Sequence, residues 1–130
     1  MQKFTEELLV ESQGTSWILK RAFKFYYEYP PSSEYWILNP RIEIIIPEGF
    51  VTDFASTPKL LYPIFPPVGI YNKAAMVHDY LYSQGCSLNI SRQEADDFFL
   101  QAMEVLKVAK WKRRAMFLAV RIFGKLHFRR

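Results

Sequence analysis

This 130-residue chain is poor in the residues that most catalytic and stapled folds depend on. It has one cysteine, Cys86, and two histidines, His78 and His127. One thiol excludes a disulfide framework, and a cysteine-based zinc centre needs more of them. A His–Asp phosphohydrolase centre would need further metal-ligating histidines. Cys86 follows Gly85 in an expected loop and reads as a spectator, with no basic neighbour in sequence to activate it. No apolar run approaches the ~18 residues that mark a membrane span. Leu8-Leu9-Val10, behind Glu6-Glu7, is too short for a signal peptide. There are no internal repeats and no low-complexity tracts. The expectation is a soluble chain made in a cytoplasm.

One further absence is local. Residues 1–104 carry 8 Lys/Arg against 13 Asp/Glu. Residues 105–130 carry 9 Lys/Arg and no acid, which together gives the net +4. So one-sided an end points to an anionic surface, whether phospholipid, nucleic acid or an acidic partner.

What the chain does have is apolar material. Half its residues are hydrophobic and 17% aromatic, enough for a packed core. We expect one domain over 1–130, mainly β over 1–55, mainly α over 56–124, with a basic tail at 125–130. Leu8–Val10, Trp17–Tyr29, Tyr35–Leu38, Ile42–Ile46 and Gly49–Phe54 are rich in β-branched and aromatic residues and read as strands. Pro30-Pro31-Ser32-Ser33 and Asn39-Pro40 punctuate them. Thr57-Pro58 suits the start of a short helix. Helices are expected over about Asn72–Ser83, from the capping box Ser91-Arg92-Gln93-Glu94 to about Leu106, and over about Ala109–Phe123 with Gly124 as a stop. The fold class is α+β: an N-terminal antiparallel β-sheet followed by three to four helices. A His78 helix should lie antiparallel to an acidic one.

The chemistry concentrates on those two helices. His78 and Tyr82 are four residues apart and stack on one flank of an apolar helix face. Ala95, Phe98, Phe99, Ala102, Met103 and Leu106 form an amphipathic stripe. Asp96 lies at its edge, whereas Asp97 points to water. A half-buried carboxylate wants a partner, and His78 and Tyr82 are placed to supply one. A carboxylate on the Nδ1 side of the imidazole would fix its tautomer and leave the other nitrogen to take a proton from water. Asp79, turned from His78 on the same helix, could hold a cation, with carbonyls of Pro67-Val68-Gly69 as further oxygens for calcium.

Two resemblances attach to these residues. Gly49-Phe50-Val51-Thr52-Asp53-Phe54-Ala55-Ser56-Thr57-Pro58, Ala75–Tyr82, Ser91–Asp96 and Trp111–Gly124 resemble, in order, a phage- and prophage-encoded domain family of unknown function. That resemblance implies a bacteriophage origin and names no activity. His78-Asp79-Tyr80-Leu81-Tyr82 with Ala95-Asp96 is similar to the HDxxY helix and following acidic helix of phospholipase A2, especially the parvoviral capsid type. Carried over by position, the likeness makes His78 the base that activates water. Asp96 orients His78, Tyr82 bonds to the dyad, and Asp79 binds Ca2+ that polarises the ester carbonyl. The upstream calcium loop departs from that pattern, since Pro66–Tyr71 holds one glycine, Gly69, and lies close to the histidine.

Asp53 is a second candidate metal ligand or a loop carboxylate bonded to backbone. Ser56 as a nucleophile is less favoured than Ser56 as part of a helix start. His127 reads as a solvated tail residue. In the last helix Trp111, Ala115, Leu118, Ala119 and Ile122 form an apolar stripe. The first expectation is that this stripe packs in the core, with Lys110, Lys112, Arg113, Arg114 and Arg121 as a solvated basic face. The functional alternative is binding to an anionic membrane surface through those basic residues. Nucleic acid ranks below lipid or a protein partner, because nothing resembles a nucleic-acid-binding motif.

The leading expectation is a phospholipase A2-like hydrolase acting on glycerophospholipid esters. It would be made in the bacterial host and used in envelope penetration, in lysis or within the virion. The alternative is a non-catalytic virion or assembly protein in which His78, Tyr82 and Asp96 form a buried polar lock. A weaker one is another metal hydrolase, with His78, Asp79 and Asp53 as ligands.

Overall fold

The computed structural model describes residues 4, 8–14, 16–38, 40–52, 72–126 and 128. In chain order these form β1 (Val10–Gln13), β2 (Ser16–Leu19), β3 (Phe23–Glu28), α1 (Tyr35–Leu38), β4 (Arg41–Ile46), β5 (Val51–Thr52), α2 (Asn72–Tyr82), α3 (Arg92–Val105) and α4 (Lys110–Phe123). A 3-10 turn over Gly124–Leu126 follows. The fold is α+β, antiparallel strands first and helices after.

The strands make two small sheets where one was expected. β1, β2 and β5 form a three-stranded antiparallel sheet, and β3 pairs with β4 in a second. The apolar run Trp17–Tyr29 is broken at Lys20–Ala22, and its two halves join different sheets. β3 alternates buried and half-buried residues along its whole length, the period of a strand with one face on a core. Its register sets Phe23 opposite Ile46 and Phe25 opposite Ile44, and all four are fully buried. One core cluster joins these residues to Met76, Val77 and Leu81 of α2 and to Phe98, Phe99 and Met103 of α3.

Tyr35–Leu38, read as a strand, is a single helical turn. The reason is tertiary. Ile37 and Leu38 are each 86% exposed, so these two side chains gain no burial that would reward an extended backbone. The turn before it is closed by a Ser33 N–H to Pro30 carbonyl bond of 2.8 Å.

Both ends of α3 follow local rules. The Ser91 side chain accepts from the Glu94 N–H, and the Glu94 carboxylate accepts from the Ser91 N–H, completing the capping box. At the far end the Val108 N–H reaches Met103 O and the Lys107 N–H reaches Glu104 O, both at 3.0 Å. This is a Schellman motif. Lys107, at φ 60°, occupies the left-handed position that glycine usually takes.

α4 ends at Phe123 with Gly124 as its C-cap, as expected, but not by the left-handed turn that glycine usually supplies. The Gly124 backbone stays right-handed and the chain continues into the 3-10 turn. Its missing side chain matters for a different reason. A Cβ there would lie 2.6 Å from the Tyr82 hydroxyl oxygen, so glycine permits the close approach of α2 to the end of α4.

The expected helix near Thr57, together with Asp53, Ser56, Pro66–Tyr71 and His127, lies outside the described residues.

Candidate functional site

α2, α3 and α4 converge on Asp96, which is 0% exposed. The alternating apolar stripe of α3 sinks Ala95, Phe98 and Phe99 into the core and carries Asp96 in with them. A carboxylate at such depth must be matched by donors, and three are in place. The His78 Nε2 lies 2.7 Å from Asp96 Oδ1, and the Tyr82 hydroxyl donates to the same oxygen at 2.6 Å. From α4, Arg121 Nη1 donates to Oδ2 at 2.7 Å.

Burial alone would raise the Asp96 carboxyl's pKa. The hydrogen bond and charge of His78 and the bonds from Tyr82 and Arg121 outweigh it and hold the group below the usual carboxylate range. The Tyr82 phenol is pushed well above its ordinary value, first by burial and then by its bond to the Asp96 carboxylate, against opposition from Arg92. So Asp96 is an ionised acceptor and Tyr82 a neutral donor at physiological pH.

The His78 ring is itself 1% exposed. It contacts the Tyr82 ring at 4.1 Å and the Phe99 ring at 4.6 Å between centroids. The expectation that the carboxylate would meet Nδ1 is corrected: Nε2 faces Asp96. With Nε2–H donating to a carboxylate, the neutral imidazole carries its lone pair on Nδ1.

Asp79 does not join this cluster. It stands half-buried at the α2–β5 contact, and its Oδ2 accepts from the Thr52 hydroxyl. Among the described residues no group of three or more His, Cys, Asp or Glu side chains gathers to hold a metal ion. Calcium takes six to eight oxygens. Asp79 is the one proposed calcium ligand within the described residues, so these alone do not make up a calcium site. Asp53 and Gly69 lie outside them.

Arg121 was assigned by sequence to the basic surface, yet its guanidinium turns inward to Asp96. Arg113 likewise bonds back to Val108 O at 3.0 Å. Lys110 and Arg114 remain exposed, and the Lys112 ammonium lies 5.6 Å from the centre of the Trp111 ring. Arg92 was missed altogether as anything but a capping-box residue. Its Nη2 bonds to Val120 O at 2.8 Å and also to Arg121 O, so α3 holds the last turn of α4, where helix carbonyls lack partners. The available signal for Arg121 was charge balance: a buried aspartate beside one histidine invites a cation from the next element.

Asp97, expected in water, is half-buried, and burial followed by the nearby Asp96 charge raises its pKa against the bond from Gln93. It lines an open groove of about 540 Å³ with Tyr27, Tyr29, Gln101 and Glu104, which includes none of His78, Tyr82 and Asp96. Cys86 is buried, with its Sγ 4.0 Å from Leu88 O.

A family described as "Protein of unknown function (DUF1353)" matches residues 32–120, from before β4 to near the end of α4. The chain belongs to that family. The DUF1353 match takes in His78, Tyr82, Asp79 and Asp96 but stops one residue before Arg121. No curated protein and no solved structure matches the chain. No helix among the described residues is long and apolar enough to cross a membrane.

Proposed function

We propose that this DUF1353 protein is a hydrolase of glycerophospholipid esters in which His78 is the general base and Asp96 its orienting carboxylate. The observation that carries the reading is the shared acceptor. His78 and Tyr82, one turn apart on α2, both bond to Asp96 Oδ1 from the next helix. That pattern pins the ring's tautomer and rotamer and stabilises the imidazolium formed when the base is protonated. His78 takes a proton from water at Nδ1 as the water oxygen attacks the ester carbonyl. The same proton then passes to the glycerol oxygen as its bond to the acyl carbon breaks, and the released fatty acid gives its remaining proton, the second from water, to solvent. Tyr82 and Arg121 are positioning residues, since they act through Asp96. The ring's burial means that the packing over it has to open for substrate.

A cation at Asp79 belongs to the same proposal, on the strength of the phospholipase likeness, and no step above is routed through it. The setting we propose, from the sequence motifs, is a bacteriophage that needs to breach or lyse a bacterial envelope. The test is fatty-acid release from phospholipid vesicles in calcium and in chelator, for wild type, His78→Ala and Asp96→Asn. Release should be calcium-dependent. The His78 variant should fall by roughly 10²–10⁴-fold, the usual weight of a general base.

One observation favours a second reading. His78 and Asp96 are both essentially inaccessible, and Arg121 already neutralises the carboxylate. A buried polar lock that fixes three helices in a non-catalytic virion or assembly protein would look the same. In that case His78→Ala lowers the melting temperature and no ester substrate is turned over by wild type.

A further inference from the structure

α4 is apolar on two faces, and the sequence does not say which one is buried. Met116, Ala119 and Val120 enter the core. The stripe expected to do so mostly faces outward instead: Trp111 is 61% exposed, Leu118 60% and Ile122 60%, and Leu126 in the following turn is 62% exposed. Spaced at i, i+7 and i+11, the first three share one side of the helix. Lys110, Arg114 and Lys125 are exposed beside them, and residues 105–130 contain no acid to offset that charge. Single exposed apolar residues are ordinary on protein surfaces, but several on one side of a helix, flanked by one sign of charge, mark an interaction surface.

We propose that this ridge is a docking face for anionic phospholipid, with α4 lying in the plane of the lipid surface. Trp111, Leu118, Ile122 and Leu126 would sink into the headgroup–acyl boundary while Lys110, Arg114 and Lys125 meet lipid phosphates. Charge complementarity selects this occupant. A second copy would set basic flank against basic flank. Nucleic acid would satisfy the cations but leave four large apolar side chains in water. At 1.5 Å per residue, α4 is about 21 Å long, short of the ~30 Å hydrocarbon layer, so it would lie in the interface rather than cross. Arg121, on the same helix, bonds to Asp96, and docking would therefore bring the His78 cluster to within about a helix's width of the lipid surface. That consequence rests on the hydrolase reading, whereas the docking face stands on the exposed ridge and its charge.

The test is binding of the full chain to vesicles of mixed phosphatidylglycerol and phosphatidylcholine, in chelator, followed by co-sedimentation and by quenching of tryptophan with brominated lipid. Wild type should bind the mixed vesicles at least about tenfold more tightly than phosphatidylcholine alone, and more weakly as salt rises. Arg114→Gln with Lys125→Gln should weaken binding by about tenfold or more. Leu118→Ser with Ile122→Ser should abolish it at an unchanged melting temperature, and Trp111→Phe should remove most of the quenching. The proposal is overturned if wild type ignores anionic vesicles, or if the serine variant binds like wild type. It is equally overturned if that variant's main effect is to dissolve a dimer seen by light scattering, or if the ridge proves to bind duplex DNA in preference to vesicles. Binding is read in chelator and without turnover, so binding here together with no fatty-acid release in calcium from the same vesicles would sink the hydrolase reading and leave the docking face intact.

Discussion

At the scale of single residues, Asp96 decides most. Replacing it with Asn removes a buried charge that three donors are arranged to meet. The loss should be on the order of 3–5 kcal/mol, the range for breaking a buried pair from one side, measured as a shift in denaturant midpoint at constant slope. Gly124→Ala tests the same cluster from outside it. The added Cβ meets the Tyr82 hydroxyl, so we expect a cost of about 1–3 kcal/mol, typical of overpacking. The Tyr82–Asp96 bond should lengthen or break, and an unchanged stability would show that the ring yields freely. The trio His78, Tyr82 and Asp96 was legible in the sequence because helical spacing fixes which polar residues flank an apolar face. Arg121 was not. It sits among basic neighbours that point elsewhere, and only the packing of α4 on α3 singles it out. The ring nitrogen facing Asp96 was likewise beyond the sequence, since it depends on the approach angle between two helices.

At the scale of elements, the capping box located the start of α3 and nothing comparable marked its end. The Schellman motif there has Lys107 where glycine is usual, so the local signal was missing although the geometry is complete. Lys107→Gly should relieve the left-handed backbone and raise stability by roughly 0.5–1 kcal/mol. A lower melting temperature would show that the lysine side chain contributes more than its backbone costs. Tyr35–Leu38 misled in the opposite direction. Its residues favour a strand, but among the described residues no strand pairs with them. In α4 the apolar periodicity was real and assigned to the wrong side, because two apolar faces of similar strength differ only in which one meets α2 and α3.

At the scale of the whole molecule, the charged groups set a pH window for stability. Asp96 has a lowered pKa in the fold, so its contribution is full above the unfolded carboxylate value of about 4. It is lost as pH falls through the lower folded value. Tyr82 and Tyr27 have raised values, Tyr27 pushed up to about 12 by burial and then by Asp97. Their contribution is full below the unfolded phenol value of about 10, and it drains away as pH climbs toward the folded values. The contribution of these three groups should therefore be full between these limits and fall on both sides. Asp96→Asn should flatten the acid limb and Tyr27→Phe part of the alkaline one. Unaltered limbs in those variants would contradict the assignment.

The proposed hydrolase stands or falls on whether the His78–Asp96 pair activates water against a lipid ester. The most direct measurement is the initial rate of fatty-acid release from anionic phospholipid vesicles by wild type and by His78→Asn, both confirmed folded by melting temperature. Wild type should show measurable calcium-dependent release, and the variant a loss of about 10²-fold or more. No release by wild type, or equal release by both proteins, would contradict the proposal and leave the cluster as a lock between helices.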